Sequence, residues 1–141
     1  MKFWDSSAVV PLLVAETMTP AVTDILAADR QMHVWWATEV ECVSTLARLE
    51  REGIETAIIE SAFSRLTALR EDWNEISAGA GVRAAARRLL RLHPLRAADA
   101  LQLAAASALA DGEPSSVSLI SFDERLRHAA RLEGFALLPP T

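Results

Sequence analysis

At 141 residues with 51% hydrophobic content, the chain has the size and composition of one folded domain and is far from the profile of a disordered segment. No apolar run approaches the roughly 20 residues needed to cross a bilayer, and the lone Cys42 cannot close an internal disulfide, so a cytoplasmic protein without a leader is expected. The net charge of −5 argues against a surface that is basic throughout, although thirteen of the fourteen basic residues are arginines, and Arg83, Arg87, Arg88, Arg91 and Arg96 crowd into one stretch.

Phe3-Trp4 is a short apolar run that stops at Asp5-Ser6-Ser7, which predicts a first strand. A short helix over Ser7 to Ala15, interrupted by Pro11, should follow. Thr19-Pro20 reads as an N-cap and first helical residue for a helix over Ala21 to Ala28. His33 to Ala37 reads as a second buried strand, with Trp35 and Trp36 expected to pack on opposite sheet faces rather than to stack on nucleic-acid bases.

From Glu39 the period changes. Val40, Val43, Leu46, Ala47 and Leu49 share a helical face, Gly53 closes that helix, and Ile58, Ala62, Phe63, Leu66 and Leu69 mark a second helix over Ile54 to Arg70. The two form a helical hairpin whose apolar side could serve as core or as partner surface. Trp73 to Ile76 is a weak strand candidate, and a helix from about Ala80 to Leu92 should stop before Pro94. Ala98 to Ala110 predicts a buried helix, Asp111 to Pro114 a turn, Val117 to Ser121 a strand, Glu124 to Glu133 a helix capped by Gly134, and Phe135 to Leu138 a last strand. Strands alternating with helices imply a single α/β domain over 1–141, with a mainly parallel sheet flanked by helices on both faces.

Ligands of open parallel sheets bind outside the carboxyl ends of the strands. Asp5 ends the first strand, Glu41 begins the helix after the second, Asp99 lies near the start of the Ala-rich helix, and Asp123 follows the strand ending at Ser121. All four acids are thus expected at one edge. Any one of them could be a helix cap or dipole partner, and Asp99 could pair with Arg96. Collected together they would repel one another unless a cation compensated, and an all-oxygen donor set favours Mg²⁺ or Mn²⁺ over Zn²⁺. Such an ion can activate water for attack on a phosphodiester. Glu39 also lies near Glu41, but residues two apart on a helix point about 200° apart, so one of them faces the site; Glu41 is chosen.

Phe-Trp-Asp5-Ser6-Ser7, Trp36-Ala-Thr-Glu-Val-Glu41, Leu95-Arg-Ala-Ala-Asp99-Ala-Leu-Gln-Leu-Ala and Ser121-Phe-Asp123-Glu-Arg-Leu resemble, in order and over nearly the whole chain, the four acidic motifs of PIN-domain ribonucleases. The likeness is greatest to VapC-type toxins of bacterial toxin–antitoxin pairs. That resemblance implies that Asp5, Glu41, Asp99 and Asp123 bind the metal and carry catalysis, with Ser6 and Ser121 as supporting polar groups. It also implies Mg²⁺- or Mn²⁺-dependent endonucleolytic cutting of RNA, a cognate antitoxin and a homodimer. Arg87, Arg88 and Arg96 are the candidate RNA contacts. The alternatives are a PIN nuclease of RNA processing and a non-enzymatic α/β interaction module. A phosphoryl-transfer protein would need a lysine near the acids, and Lys2, the sole lysine, precedes the first strand. His33, His93 and His128 show no ligand spacing, and Cys42 reads as a small buried hydrophobe.

Overall fold

The structure, a computed structural model, describes residues 1–140. Its five strands are β1 (Lys2–Trp4), β2 (His33–Trp35), β3 (Asn74–Ile76), β4 (Ser118–Ile120) and β5 (Ala136–Leu138). They form one sheet in the order β3-β2-β1-β4-β5, and every neighbouring pair is parallel. The helices are α1 (Ser6–Leu13), α2 (Thr19–Ala28), α3 (Thr38–Arg51), α4 (Thr56–Asp72), α5 (Ala80–Leu92), α6 (Ala97–Ala110) and α7 (Glu124–Leu132), with a short 3-10 turn at Pro114–Ser116.

Three-residue strands buried on both faces need helices on both sides, and strand alternation distributes the core accordingly. Phe3, Trp35 and Leu119 point into one cluster, packed by Leu89 of α5, Leu103 of α6 and Leu126 of α7. Trp4, Val34 and Ile120 point into the other, packed by Val9 of α1, Leu46 of α3 and Leu66 of α4. The helical hairpin α3–α4 is therefore core on its Cys42, Leu46, Ala62 and Leu66 side, while Val40, Val43 and Ile58 remain exposed. Gly53 and Gly134, with φ of +105° and +97°, terminate α3 and α7 in the left-handed conformation that their lack of a Cβ permits.

Three local expectations are corrected. The second strand ends at Trp35, so Trp36 lies in the turn before α3 and is 56% exposed, whereas Trp35 is 5% exposed in the core; Val34 and Trp35 make the alternating pair expected of the two tryptophans. Thr19 is inside α2 and does not cap it: its hydroxyl donates to the Pro11 carbonyl at 2.7 Å and accepts from the Glu16 N–H at 2.9 Å, tying α1 to α2. Pro11 lies within α1 without splitting it, and the helix ends two residues later.

The chain runs outward from β1 to β2 and β3, then crosses back to place β4 and β5 on the other side of β1. The carboxyl end of β1 is thus the point where the direction of winding reverses, and neighbouring connections leave it on opposite faces, opening a crevice there.

Candidate active site

Asp5 occupies that crevice. Its backbone caps α1, the carbonyl accepting from Ala8 and Val9 N–H, yet its side chain makes no capping bond. The carboxylate, 4% exposed, accepts instead from Ser7 Oγ at 2.6 Å and Ser121 Oγ at 2.9 Å, both on Oδ2. The hydroxyls are themselves held in place. Ser7 Oγ accepts from Phe122 N–H and Ser121 Oγ accepts from Asp123 N–H, so the loop after β4 is pinned to the start of α1. Behind it, the buried Arg127 guanidinium donates to the Ser121 carbonyl at 2.8 Å and to the Leu138 and Pro139 carbonyls at 3.1 and 2.8 Å.

Glu41 enters from the first turns of α3. Gln102 Nε2 on α6 donates to Glu41 Oε1 at 2.6 Å and to Thr38 Oγ1 at 3.1 Å, while Ser6 supplies a further side-chain hydrogen bond to Glu41. Glu39 points elsewhere and pairs with Arg70 at 2.7 Å. Asp99 sits in the first turn of α6, against the Arg96 backbone N–H. Arg96 shares the cleft with it, and no ion pair closes between them among the described residues. Asp123 caps α7, its Oδ1 accepting from Leu126 N–H at 2.9 Å. The capping role weighed for these acids is therefore real for Asp123 and absent for the Asp5 side chain.

The carboxylates of Asp5, Glu41, Asp99 and Asp123 line one cleft of about 600 Å³. Its floor is electrostatically unfavourable. Burial raises the Asp5 carboxyl above its ordinary range against the pull of the Ser7 and Ser121 hydrogen bonds, with Asp99 adding to the rise. Burial also raises Glu41, more than Gln102 and Ser6 lower it, and Asp5 and Asp99 repel its charge. Asp99 is raised by burial and by Asp123, with Arg96 and Arg125 opposing. These are the signs of negative groups placed together without enough positive charge among them.

The donor set suits a hard cation: carboxylate oxygens, buried or half-buried, whose charge the chain itself leaves unbalanced. The crowding is looser than the sequence led us to expect. Among the described residues no three Asp, Glu, His or Cys side chains converge as a ready-made cage. Mg²⁺ does not require one, since it keeps several waters and is commonly held by one or two carboxylates.

Of the candidate RNA contacts, Arg96 alone lines the cleft. Arg87 and Arg88 border a separate surface hollow of about 540 Å³ with Arg91. Arg88 is tied at 2.7 Å to Glu133, at the opposite end of α7 from Asp123. Conversely, Ser7, Gln102, Arg48 and Arg125 escaped the sequence reading. Ser7 stood in the quoted first motif, and Gln102 was a polar interruption of an apolar helix, which is a signal of buried partnership; nothing in sequence singled out the two arginines. His93 is engaged by Glu133 at 2.7 Å and His33 faces the Lys2 carbonyl, so neither belongs to the site. Cys42 is buried, its thiol pushed up to about 12 first by burial and then by Glu41, and is inert as a nucleophile. No helix among the described residues is long and apolar enough to cross a membrane.

Known structures share this architecture from end to end. FitAcB of Neisseria gonorrhoeae superposes with a TM-score of 0.67 at 16% identity, covering 97% of this chain and 96% of its own. VapC20 of Mycobacterium tuberculosis, described as a toxin that cleaves the sarcin-ricin loop, gives 0.65 at 15% identity over 96% of this chain and 97% of its own. VapBC2 of Rickettsia felis, solved with promoter DNA, gives 0.64 at 12% identity over 96% of both chains. A search of curated proteins finds no match. At such identities the structures establish the fold. The family model for the PIN domain matches residues 2–132 of the sequence, from the strand that delivers Asp5 through the helix that Asp123 caps. The chain therefore belongs to the PIN-domain family.

Proposed function

We propose that this chain is a Mg²⁺- or Mn²⁺-dependent endoribonuclease acting as the toxin of a type II toxin–antitoxin pair, restrained by a cognate antitoxin and working as a homodimer. The observation that carries the reading is the shared cleft: Asp5, Glu41, Asp99 and Asp123 come from four separate segments and meet where β1 ends. Membership of the PIN family and the likeness to FitAcB, VapC20 and VapBC2 support it.

Asp5, Glu41, Asp99 and Asp123 would hold the cation, one or two directly and the rest through its waters, and the ion when bound supplies an activated water and neutralises charge on the phosphate. The protein's part is orientation. Ser7 and Ser121 fix one Asp5 oxygen and leave the other free, and Gln102 fixes one oxygen of Glu41. Arg96, on the cleft wall, would meet a phosphate oxygen of the substrate. Hydrolysis then joins the water oxygen to phosphorus and breaks the phosphorus–oxygen bond to the leaving ribose hydroxyl, which takes up a proton.

The test is cleavage of RNA by the purified protein with Mg²⁺, with Mn²⁺ and with chelator. Cutting that needs the ion and disappears in Asp99→Asn, with circular dichroism unchanged, is expected. Full activity in Asp99→Asn or in chelator would overturn the reading.

A further inference from the structure

The cleft has a wall that the acids do not account for. Along α3, Val40, Ser44 and Arg48 all line it, four residues apart on one helical face beside Glu41. From Val40 to Arg48 this stripe runs about 12 Å along the axis. Trp36 precedes it by four residues, in the turn at the carboxyl end of β2, which is the edge where the acids lie.

The chemistry of the stripe is graded. Trp36 and Val40 are 56% and 63% exposed, large apolar groups left in water, Val40 on the cleft wall and Trp36 in the turn that leads into α3. Arg48 has only a loose partner, Glu52 at 3.7 Å, and both side chains are about 60% exposed, so the guanidinium is free to exchange it for a stronger anion. Of the other charged groups of this stretch, Glu41 belongs to the cleft itself and Glu39 is taken by Arg70 and turned away. A branched aliphatic, a hydroxyl and a guanidinium along the cleft wall, with an exposed indole in the turn that leads into them, suit a ligand that alternates flat rings with phosphates.

We propose that the substrate strand lies along α3, with a base on Trp36 and Val40, the cut phosphate over Glu41 and a neighbouring phosphate on Arg48. This rests on the ribonuclease reading above and adds to it a track for single-stranded RNA. Duplex RNA, whose bases are stacked inside, could not use the indole in this way.

The test measures binding of a labelled single-stranded RNA of about ten nucleotides to the Asp99→Asn protein, with Arg48 and Trp36 variants built on it. Arg48→Ala should weaken binding about 5- to 10-fold and reduce the slope of log affinity against log salt by about 1. Trp36→Leu should weaken it by a similar roughly 5-fold factor without altering that slope, and Trp36→Phe should restore it. Trp4, Trp35 and Trp73 are buried, so quenching of tryptophan fluorescence by the RNA should vanish with Trp36. If Asp99→Asn binds RNA and the wild type cleaves it while both variants keep full affinity, the track is wrong and the ribonuclease reading stands. If Trp36→Leu changes only the sedimentation coefficient, the face belongs to protein association and the proposal falls. If the Asp99→Asn parent binds no RNA and the wild type cleaves none, both readings fail together.

Discussion

Replacing Asp5 by Asn should make the protein more stable while removing its response to divalent ions. Asp5 is 4% exposed, its charge is disfavoured first by burial and then by Asp99, and the hydrogen bonds from Ser7 and Ser121 offset this only in part, with no cationic side chain beside it among the described residues. An amide is close in shape, keeps an oxygen to accept from Ser7 and Ser121, and carries no charge to desolvate. Each pKa unit by which the fold raises a carboxyl corresponds to about 1.4 kcal/mol of destabilisation of the ionised form. A gain at neutral pH follows, less what the two hydroxyl bonds lose on meeting an amide. For a chain of this size each kcal/mol gained raises the melting temperature by about 2–4 °C. The ion works in the opposite direction: at a hundredfold excess over its Kd it should stabilise the wild type by about 2.7 kcal/mol and the variant by much less. Differential scanning fluorimetry at pH 7.5, in chelator and across a Mn²⁺ titration, reads both numbers. A variant that melts well below wild type in chelator, or that gains as much from Mn²⁺, would refute the reasoning.

The same shifts set the pH dependence. Asp5, Glu41 and Asp99 have folded pKa values raised above their unfolded ones, so the folded state binds more protons in that window and chelated protein should lose stability as pH rises from about 4 through their raised values. Urea midpoints that climb over that range would contradict it. Glu133 has the reverse sign: despite some burial, the bonds from Arg88 and His93 hold its carboxyl below the usual range, so its contribution is present above the unfolded value and lost as pH falls through the lowered one. Glu133→Gln should erase that acid limb. Gln102→Leu should cost about 1–2 kcal/mol in urea denaturation, because Thr38 and Glu41 lose their donor, and should slow cleavage; unchanged kinetics would show that Glu41 needs no anchoring. Arg127→Met leaves three carbonyls without their charged donor and should destabilise by about 2–4 kcal/mol, measured by the same denaturation.

Alternation and period reveal the fold to a reader of the sequence because they report burial directly. Each short strand is bounded by residues that end it, and Gly53 and Gly134 mark helix ends through a backbone requirement that no other residue meets as easily. The second strand was read too long because Trp36 is as apolar as Trp35; hydrophobicity could not distinguish a core indole from one left exposed by the turn. The acids were legible through their position at strand ends, where local context fixes the edge. Their partners were not. Ser121 to Asp5, Gln102 to Glu41 and Arg127 to Leu138 are contacts made by packing between elements, and sequence spacing carries no information about which donor meets which acceptor. The arginines show the same limit: local density drew attention to Arg87 and Arg88, whereas the cleft is lined by Arg48 and Arg96, far apart in the chain.

Arg127 gives the last strand a means of influencing the chemistry. One guanidinium holds the carbonyls of Ser121 and Leu138 through Nη1 and that of Pro139 through Nη2, and Ser121 in turn steadies Asp5. A change at the end of β5 that never enters the cleft would therefore still be transmitted to the Asp5 carboxylate, through a relay of two residues.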